Sequence, residues 1–260
     1  MQIVFIGDSI TEGLGVIRSK TNYANLLQAQ LKAQVAQPVH IVNFGSSAMQ
    51  VSESRERHEQ RILEMQPDIV VFAHGITEAI PRVQKKHLKW MPKRWRRPGW
   101  MDPRPYYSTR TFRRVMEKVE SGARWRAKVA LIQMFGGKPW MSLEEFRRHT
   151  TEFVHNVLNH NRNTRIILLA TSDIEDKYFP GASESIRMYR QVFHEICNNP
   201  QSANRVFVCD AARNLHKWND YLEDRFHPNG LGHDKIARAL LNTILGHSLG
   251  GRMAKKEVSL

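Results

Sequence analysis

Gln2-Ile3-Val4-Phe5-Ile6-Gly7-Asp8-Ser9-Ile10-Thr11 is the stretch that decides the fold. Ile3 to Ile6 are β-branched or aromatic, the composition of a buried strand, and Gly7-Asp8-Ser9 interrupts them with residues that favour a tight turn. No basic leader or long apolar stretch precedes the turn. A first β-strand is therefore expected here, not a targeting segment.

Working outward, the same alternation recurs. Asn22 to Gln34 carries Tyr23, Leu26, Leu27 and Leu31 on one face at helical spacing, and Val39 to Phe44 is the next strand. Glu53 to Met65 is a second helix. Asp68 to Ala73 follows, with the all-apolar core Ile69-Val70-Val71-Phe72 of a strand covered on both faces. Ser142 with Glu145 three residues on forms a capping box that opens a helix to about His160. Arg165 to Ala170 and Arg205 to Cys209 read as strands, Ser183 to Cys197 and Leu231 to Leu245 as helices, and the tail over 250–260 as a flexible end. Five strands separated by helices predict an α/β fold: a doubly wound, flavodoxin-like three-layer sandwich with a five-stranded parallel sheet. The chain is read as one domain over 1–260.

Composition bounds the rest. The 260 residues include 39 Lys+Arg against 25 Asp+Glu, a net charge of +14, and 41% are hydrophobic, too many for a disordered chain. No run approaches the ~18 apolar residues of a membrane span. Cys197 and Cys209 are too few for a disulfide framework and lack zinc-site spacing, so reduced thiols in a cytoplasmic protein are expected, peripheral to a membrane if attached to one. The charge is concentrated. Between Arg82 and Lys128 there are 16 Lys/Arg and three acids, a net of +13 that leaves +1 for the remainder. Trp90, Trp95, Trp100, Tyr106, Tyr107, Phe112 and Trp125 are interleaved with it.

In a doubly wound sheet the ligand lies beyond the carboxyl ends of the strands. After the first strand, Ser9 sits on a strand-to-helix turn that exposes its hydroxyl. The glycine spacing of Gly7, Gly13 and Gly15 fits neither a phosphate loop nor a dinucleotide fingerprint. After the last strand comes Asp224-Arg225-Phe226-His227-Pro228-Asn229-Gly230-Leu231-Gly232-His233. An Asp three residues before a His can reach the imidazole Nδ1–H on one turn and leave Nε2 free as a base; viewed alone, the pair serves equally to satisfy a loop. A metal held by Asp224, His227 and His233 lacks a further ligand with recognisable spacing, so no metal and no cofactor are expected.

Together these residues resemble the SGNH (GDSL-type) hydrolase family over most of the chain. Gly7-Asp8-Ser9-Ile10-Thr11 matches the first block, which implies Ser9 as nucleophile. Gly45 in Asn43-Phe44-Gly45-Ser46-Ser47 matches the second-block glycine, whose N–H points into the oxyanion hole of the family. Asp224 and His227 match the last block, completing the implied catalytic set Ser9, Asp224 and His227. The third block departs: Gly75-Ile76-Thr77-Glu78 stands where the family has Gly-x-Asn-Asp. Thr77 then replaces the Asn that donates the third oxyanion hydrogen bond. Ser46, His74 and Arg82 are candidates to compensate, although packing roles suit each of them better. The implied activity is hydrolysis of an acyl ester or thioester, as esterase or lipase, or O-acyl transfer to a sugar or other hydroxyl. The rival is a catalytically silent fold that binds an anionic partner.

Residues 80–140 interrupt the alternation after the third strand and read as a basic aromatic cap or lid at the carboxyl edge. Prolines keep its first half from forming a long helix, and a helix is expected from Thr109 to Lys128. Asp8, Arg82, Trp95 and Arg97 are the expected substrate- or partner-binding residues. The segment's charge leaves four uses open: a solvated basic surface, docking of a coenzyme A thioester or acidic acyl carrier protein, attachment to an anionic membrane carrying an acylated lipid or sugar, and nucleic-acid binding. The last is disfavoured because no known binding motif accompanies it.

Overall fold

The computed structural model describes residues 1–96, 111–202 and 204–249. Among them, β1 (Gln2–Gly7), β2 (His40–Asn43), β3 (Ile69–Ala73), β4 (Arg165–Ala170) and β5 (Val206–Asp210) form one five-stranded sheet in the order β2-β1-β3-β4-β5. Every pairing is parallel, with Gly7 beside Ala73 and Ala170 beside Asp210 at the carboxyl ends. Ile3, Val4, Phe5 and Ile6 and the whole of β3 are buried, as expected of central strands covered on both faces. β2, at the edge, is exposed at both ends.

The principal helices are α1 (Tyr23–Lys32), α2 (Val51–Met65), α3 (Thr111–Phe135), α4 (Leu143–His160), α5 (Ala182–Cys197) and α6 (Gly230–Leu249). α1 packs with α6, while α2, α4 and α5 pack in sequence, so helices cover both sides of the sheet. Local chemistry sets their ends. The Ser142–Glu145 capping box opens α4, and Asn229 Oδ1 accepts from Leu231 N at 2.9 Å and Gly232 N at 3.2 Å to open α6. Leu27 and Leu31 of α1 are fully buried, with Leu26 at the margin of the core.

The excursion after β3 has its own architecture. Arg82–Val83 pairs antiparallel with Gly137–Lys138, so a two-stranded ribbon brings the chain's exit and return together. Short turns at Lys85–Leu88 and Lys93–Trp95 occupy the proline-rich half. α3 runs seven residues past the expected end at Lys128, because Leu131 and Ile132 are buried in the core. Gly136, at φ +74°, then stops it by donating to Ile132 O at 2.8 Å. No helix among the described residues is long and apolar enough to cross a membrane.

Candidate active site

The strand order reverses between β1 and β3, and the loops that leave β1, β3 and β5 meet at that point. Asp8 caps the single helical turn Ser9–Glu12 by accepting from Ile10 N at 3.0 Å. This places the Ser9 hydroxyl toward the loop that precedes α6. Ser9 Oγ lies 2.8 Å from His227 Nε2, and His227 Nδ1 lies 2.6 Å from Asp224 Oδ2. Asp224 is anchored in turn, its Oδ1 accepting from the backbone N–H of Phe226 and of His227, both at 2.9 Å. Burial opposes ionisation of Asp224, but the facing His227 and these hydrogen bonds outweigh it and hold the carboxyl below its ordinary range. The loop itself is fixed by Leu222 N to His227 O at 2.8 Å and Asn229 N to Asp220 O at 2.8 Å. The ring of Phe226 meets that of His227 edge-on at 4.6 Å.

Gly45 lies against the Ser9 turn, where a Cβ would come within 2.4 Å of Glu12 N and 2.5 Å of Thr11 C. Only glycine allows that approach. Its N–H donates to Asn43 Oδ1 at 2.8 Å, while Asn43 Nδ2 donates to Thr11 O at 2.7 Å. Thr77 Oγ1 donates to Asp8 Oδ2 at 2.7 Å. The Gly45 N–H and the Thr77 hydroxyl are thus both engaged within the protein. The Ser9 N–H, first in its turn, has no acceptor inside the helix.

Asp8 and Arg82, expected from the sequence to meet substrate or partner, both make hydrogen bonds within the protein. Asp8 is fully buried, and burial, reinforced by the nearby Glu78 charge, pushes its carboxyl up despite the Thr77 hydrogen bond. Arg82 turns inward, donating to Thr77 O at 2.9 Å and Ile80 O at 3.1 Å, with its guanidinium 3.9 Å from the Trp140 ring centre. Burial lowers its pKa to about 10. Trp95 Nε1 donates to Glu120 at 2.7 Å, a bond within the excursion. Arg97 lies outside the described residues.

Three contributors were not legible beforehand. Glu78, fully buried, accepts from Val51 N at 2.7 Å and Gly75 N at 2.8 Å, and so ties the start of α2 to the turn after β3. Burial opposes its ionisation, but His74 at 3.4 Å, and then the backbone N–H groups of Glu78 and Gly75, hold its carboxyl below the usual range. His74, a candidate to compensate for Thr77, thus lies beside Glu78. Asn43 is the second contributor, through Gly45. The third is the pairing of Tyr23 N with His233 Nδ1 at 3.1 Å, which occupies a His233 lone pair that a metal would need. Burial, and then the neighbouring His227, lower the His233 pKa to about 4, so the ring is neutral. A cavity of about 690 Å³ opens along β4 and β5 between Asp173, Arg190, Asp210, Arg213 and Tyr221, apart from Ser9 and His227.

The order β2-β1-β3-β4-β5 with helices on both sides defines the class: a flavodoxin-like, doubly wound α/β domain. The chain belongs to the GDSL-like lipase/acylhydrolase family, whose model matches residues 5–235, and is a hydrolase of that family. Solved structures share the fold. The lipase/acylhydrolase from Enterococcus faecalis is 15% identical, with 99% of each chain covered and a TM-score of 0.59. Axe2, an acetylxylan esterase from Geobacillus stearothermophilus, is 20% identical, with 94% of this chain and 93% of that one covered and a TM-score of 0.59. LAE5, an alpha/beta hydrolase enzyme from the metagenome of Lake Arreo, is 19% identical over 95% and 94% of the two chains, with a TM-score of 0.58. No curated protein matches the sequence.

Proposed function

We propose that the protein is a serine-dependent hydrolase of carboxylic esters or thioesters that works through an acyl-enzyme on Ser9. The observation that carries this reading is the continuous line from Ser9 Oγ through His227 to Asp224, with gaps of 2.8 and 2.6 Å. His227 Nε2 takes the Ser9 proton as Oγ bonds to the substrate carbonyl carbon. The resulting oxyanion meets Ser9 N–H and draws Gly45 N–H away from Asn43. The tetrahedral species collapses, the carbonyl–oxygen (or sulfur) bond breaks, and the leaving group departs with the proton from Nε2. Water, deprotonated by the same nitrogen, then attacks the acyl-enzyme and restores Ser9. Asp224 keeps Nδ1 protonated throughout and stabilises the imidazolium. Because Thr77 is committed to Asp8, this mechanism relies on two oxyanion donors, and a known case puts one lost donor at ~10²–10³ in rate. A sugar or alcohol replacing water in the second half would make the same intermediate an O-acyltransferase.

Turnover of short-chain p-nitrophenyl esters by wild type and Ser9→Ala tests the reading. Wild-type turnover with a loss of about 10³-fold or more in Ser9→Ala is expected. A folded wild type without turnover on acetyl, butyryl and longer esters would instead favour a silent fold that binds an anionic partner.

A further inference from the structure

Helix α3 is built inside out. Its inward side buries Ser121 and Lys128 together with Ile132, whereas Phe112, Val115, Met116 and Val119 are exposed, Phe112 by 80%. These four fall at i, i+3, i+4 and i+7. At about 100° per residue, exposed Ala123, Ala130 and Met134 continue the same stripe to the far end of the helix, roughly 33 Å away. Among the described residues, Arg126 is the exposed charge along it. At that far end Phe135 meets Trp90, itself 64% exposed, at 5.1 Å between ring centres. Lys85, Lys86 and Lys89 stand exposed on the adjoining turn. A long apolar stripe ending in an exposed Trp and flanked by lysines is costly in water and matches a bilayer interface.

We propose that the outer face of α3, with Trp90, docks on the surface of an anionic lipid bilayer. Charge selects this occupant. The segment from Arg82 to Lys128 carries a net +13, so a second copy would bring an equal positive field against it, whereas acidic lipid headgroups neutralise it. A nucleic acid would satisfy the charge but leave an aliphatic stripe of Val, Met and Ala without a partner. The helix is held to the body of the protein on its other side: Trp125 Nε1 donates to Tyr178 O at 2.9 Å, and Lys118 Nζ lies 2.6 Å from Glu223, the residue before Asp224. Docking therefore sets the candidate site beside the lipid surface. It does not depend on the catalytic assignment, since it uses none of Ser9, His227 or Asp224.

Co-sedimentation of the full chain with vesicles of phosphatidylcholine, alone or with phosphatidylserine, tests the proposal. Binding about tenfold or more tighter to the serine-lipid vesicles is expected, and a similar loss at high salt. The Phe112→Ser/Met116→Ser/Val119→Ser variant should lose about tenfold or more, as should Lys85→Gln/Lys86→Gln/Lys89→Gln at about fivefold per charge. Ser9→Ala should bind like wild type, which separates this result from failure of the hydrolase reading. Absence of vesicle binding, or binding by both surface variants as tight as that of wild type, overturns the proposal. So does poly-L-glutamate capture without vesicle capture, which would point to an acidic protein, or a dimer that the apolar variant dissociates. Far-UV circular dichroism shows that each variant is folded, and the lysine variant tests the surface even if the apolar one is not.

Discussion

Replacing Asp224 by Asn removes one charge and changes almost no volume, so its effect reports on the proton of His227. Asp224 Oδ1 accepts two backbone N–H groups at 2.9 Å, and Oδ2 faces His227 Nδ1 at 2.6 Å. An Asn keeps both backbone bonds only by placing its amide oxygen at the Oδ1 position, which turns its NH₂ toward Nδ1. Reversing the amide would forfeit those two bonds, at about 1 kcal/mol each. The favoured arrangement makes Nδ1 an acceptor and forces the proton onto Nε2, the atom that must accept from Ser9. A tautomer error of this kind costs ~10⁴ in turnover in a comparable triad, or about 5.5 kcal/mol of barrier. Initial rates on a soluble p-nitrophenyl ester, with a melting curve for each protein, measure it. A loss below about tenfold in a folded variant would refute the idea that Asp224 sets the His227 tautomer.

Thr77→Val removes the hydroxyl that bonds buried Asp8; it should destabilise the protein by about 1–3 kcal/mol in urea denaturation while changing kcat less than tenfold. A hundredfold kcat loss at unchanged stability would mean that Thr77 serves the oxyanion after all. Asp8 has a folded pKa raised above 3.8, chiefly by burial, so the stability it confers is present below that value and is lost as pH rises through the folded pKa. Asp8→Asn cannot ionise; its melting temperature should gain on wild type as pH rises above 3.8, and a deficit that widens with rising pH would contradict the account. Gly45→Ala puts a Cβ within 2.4 Å of Glu12 N and should lower melting temperature and ester turnover together, whereas a variant matching wild type in both would show that the close approach is dispensable.

The sheet was legible because its signals are local. β1 is apolar from Ile3 to Ile6 and β3 throughout, and their ends fall within two residues of the expected positions. Asp224 and His227 were equally accessible, being three residues apart on one turn, and Ser9 stood out at the only chemically suggestive break after β1. Contacts between distant loops were not accessible. Thr77 reaches Asp8 across 69 residues because β1 and β3 are neighbours with Gly7 opposite Ala73, a register no periodicity specifies. Likewise Arg82 reads as a substrate- or partner-binding cation at the start of a basic run, yet the ribbon with Gly137–Lys138 carries it inward over Trp140. Glu78 reads as a substitute in a catalytic block, but its carboxylate serves two backbone N–H groups. The outward stripe of α3 shows how charge misleads: the basic count drew attention to the segment, while the apolar side chains distinguish its face.

The central claim is that Ser9 is the nucleophile, activated by His227. Intact-protein and peptide mass spectrometry after exposure to a fluorophosphonate tests it most directly, because the reagent bonds only to an activated oxygen. The account predicts a single adduct located on Ser9, strongly slowed in Asp224→Asn and absent in Ser9→Ala. No adduct on folded wild type, or an adduct of equal yield in Ser9→Ala, would contradict it.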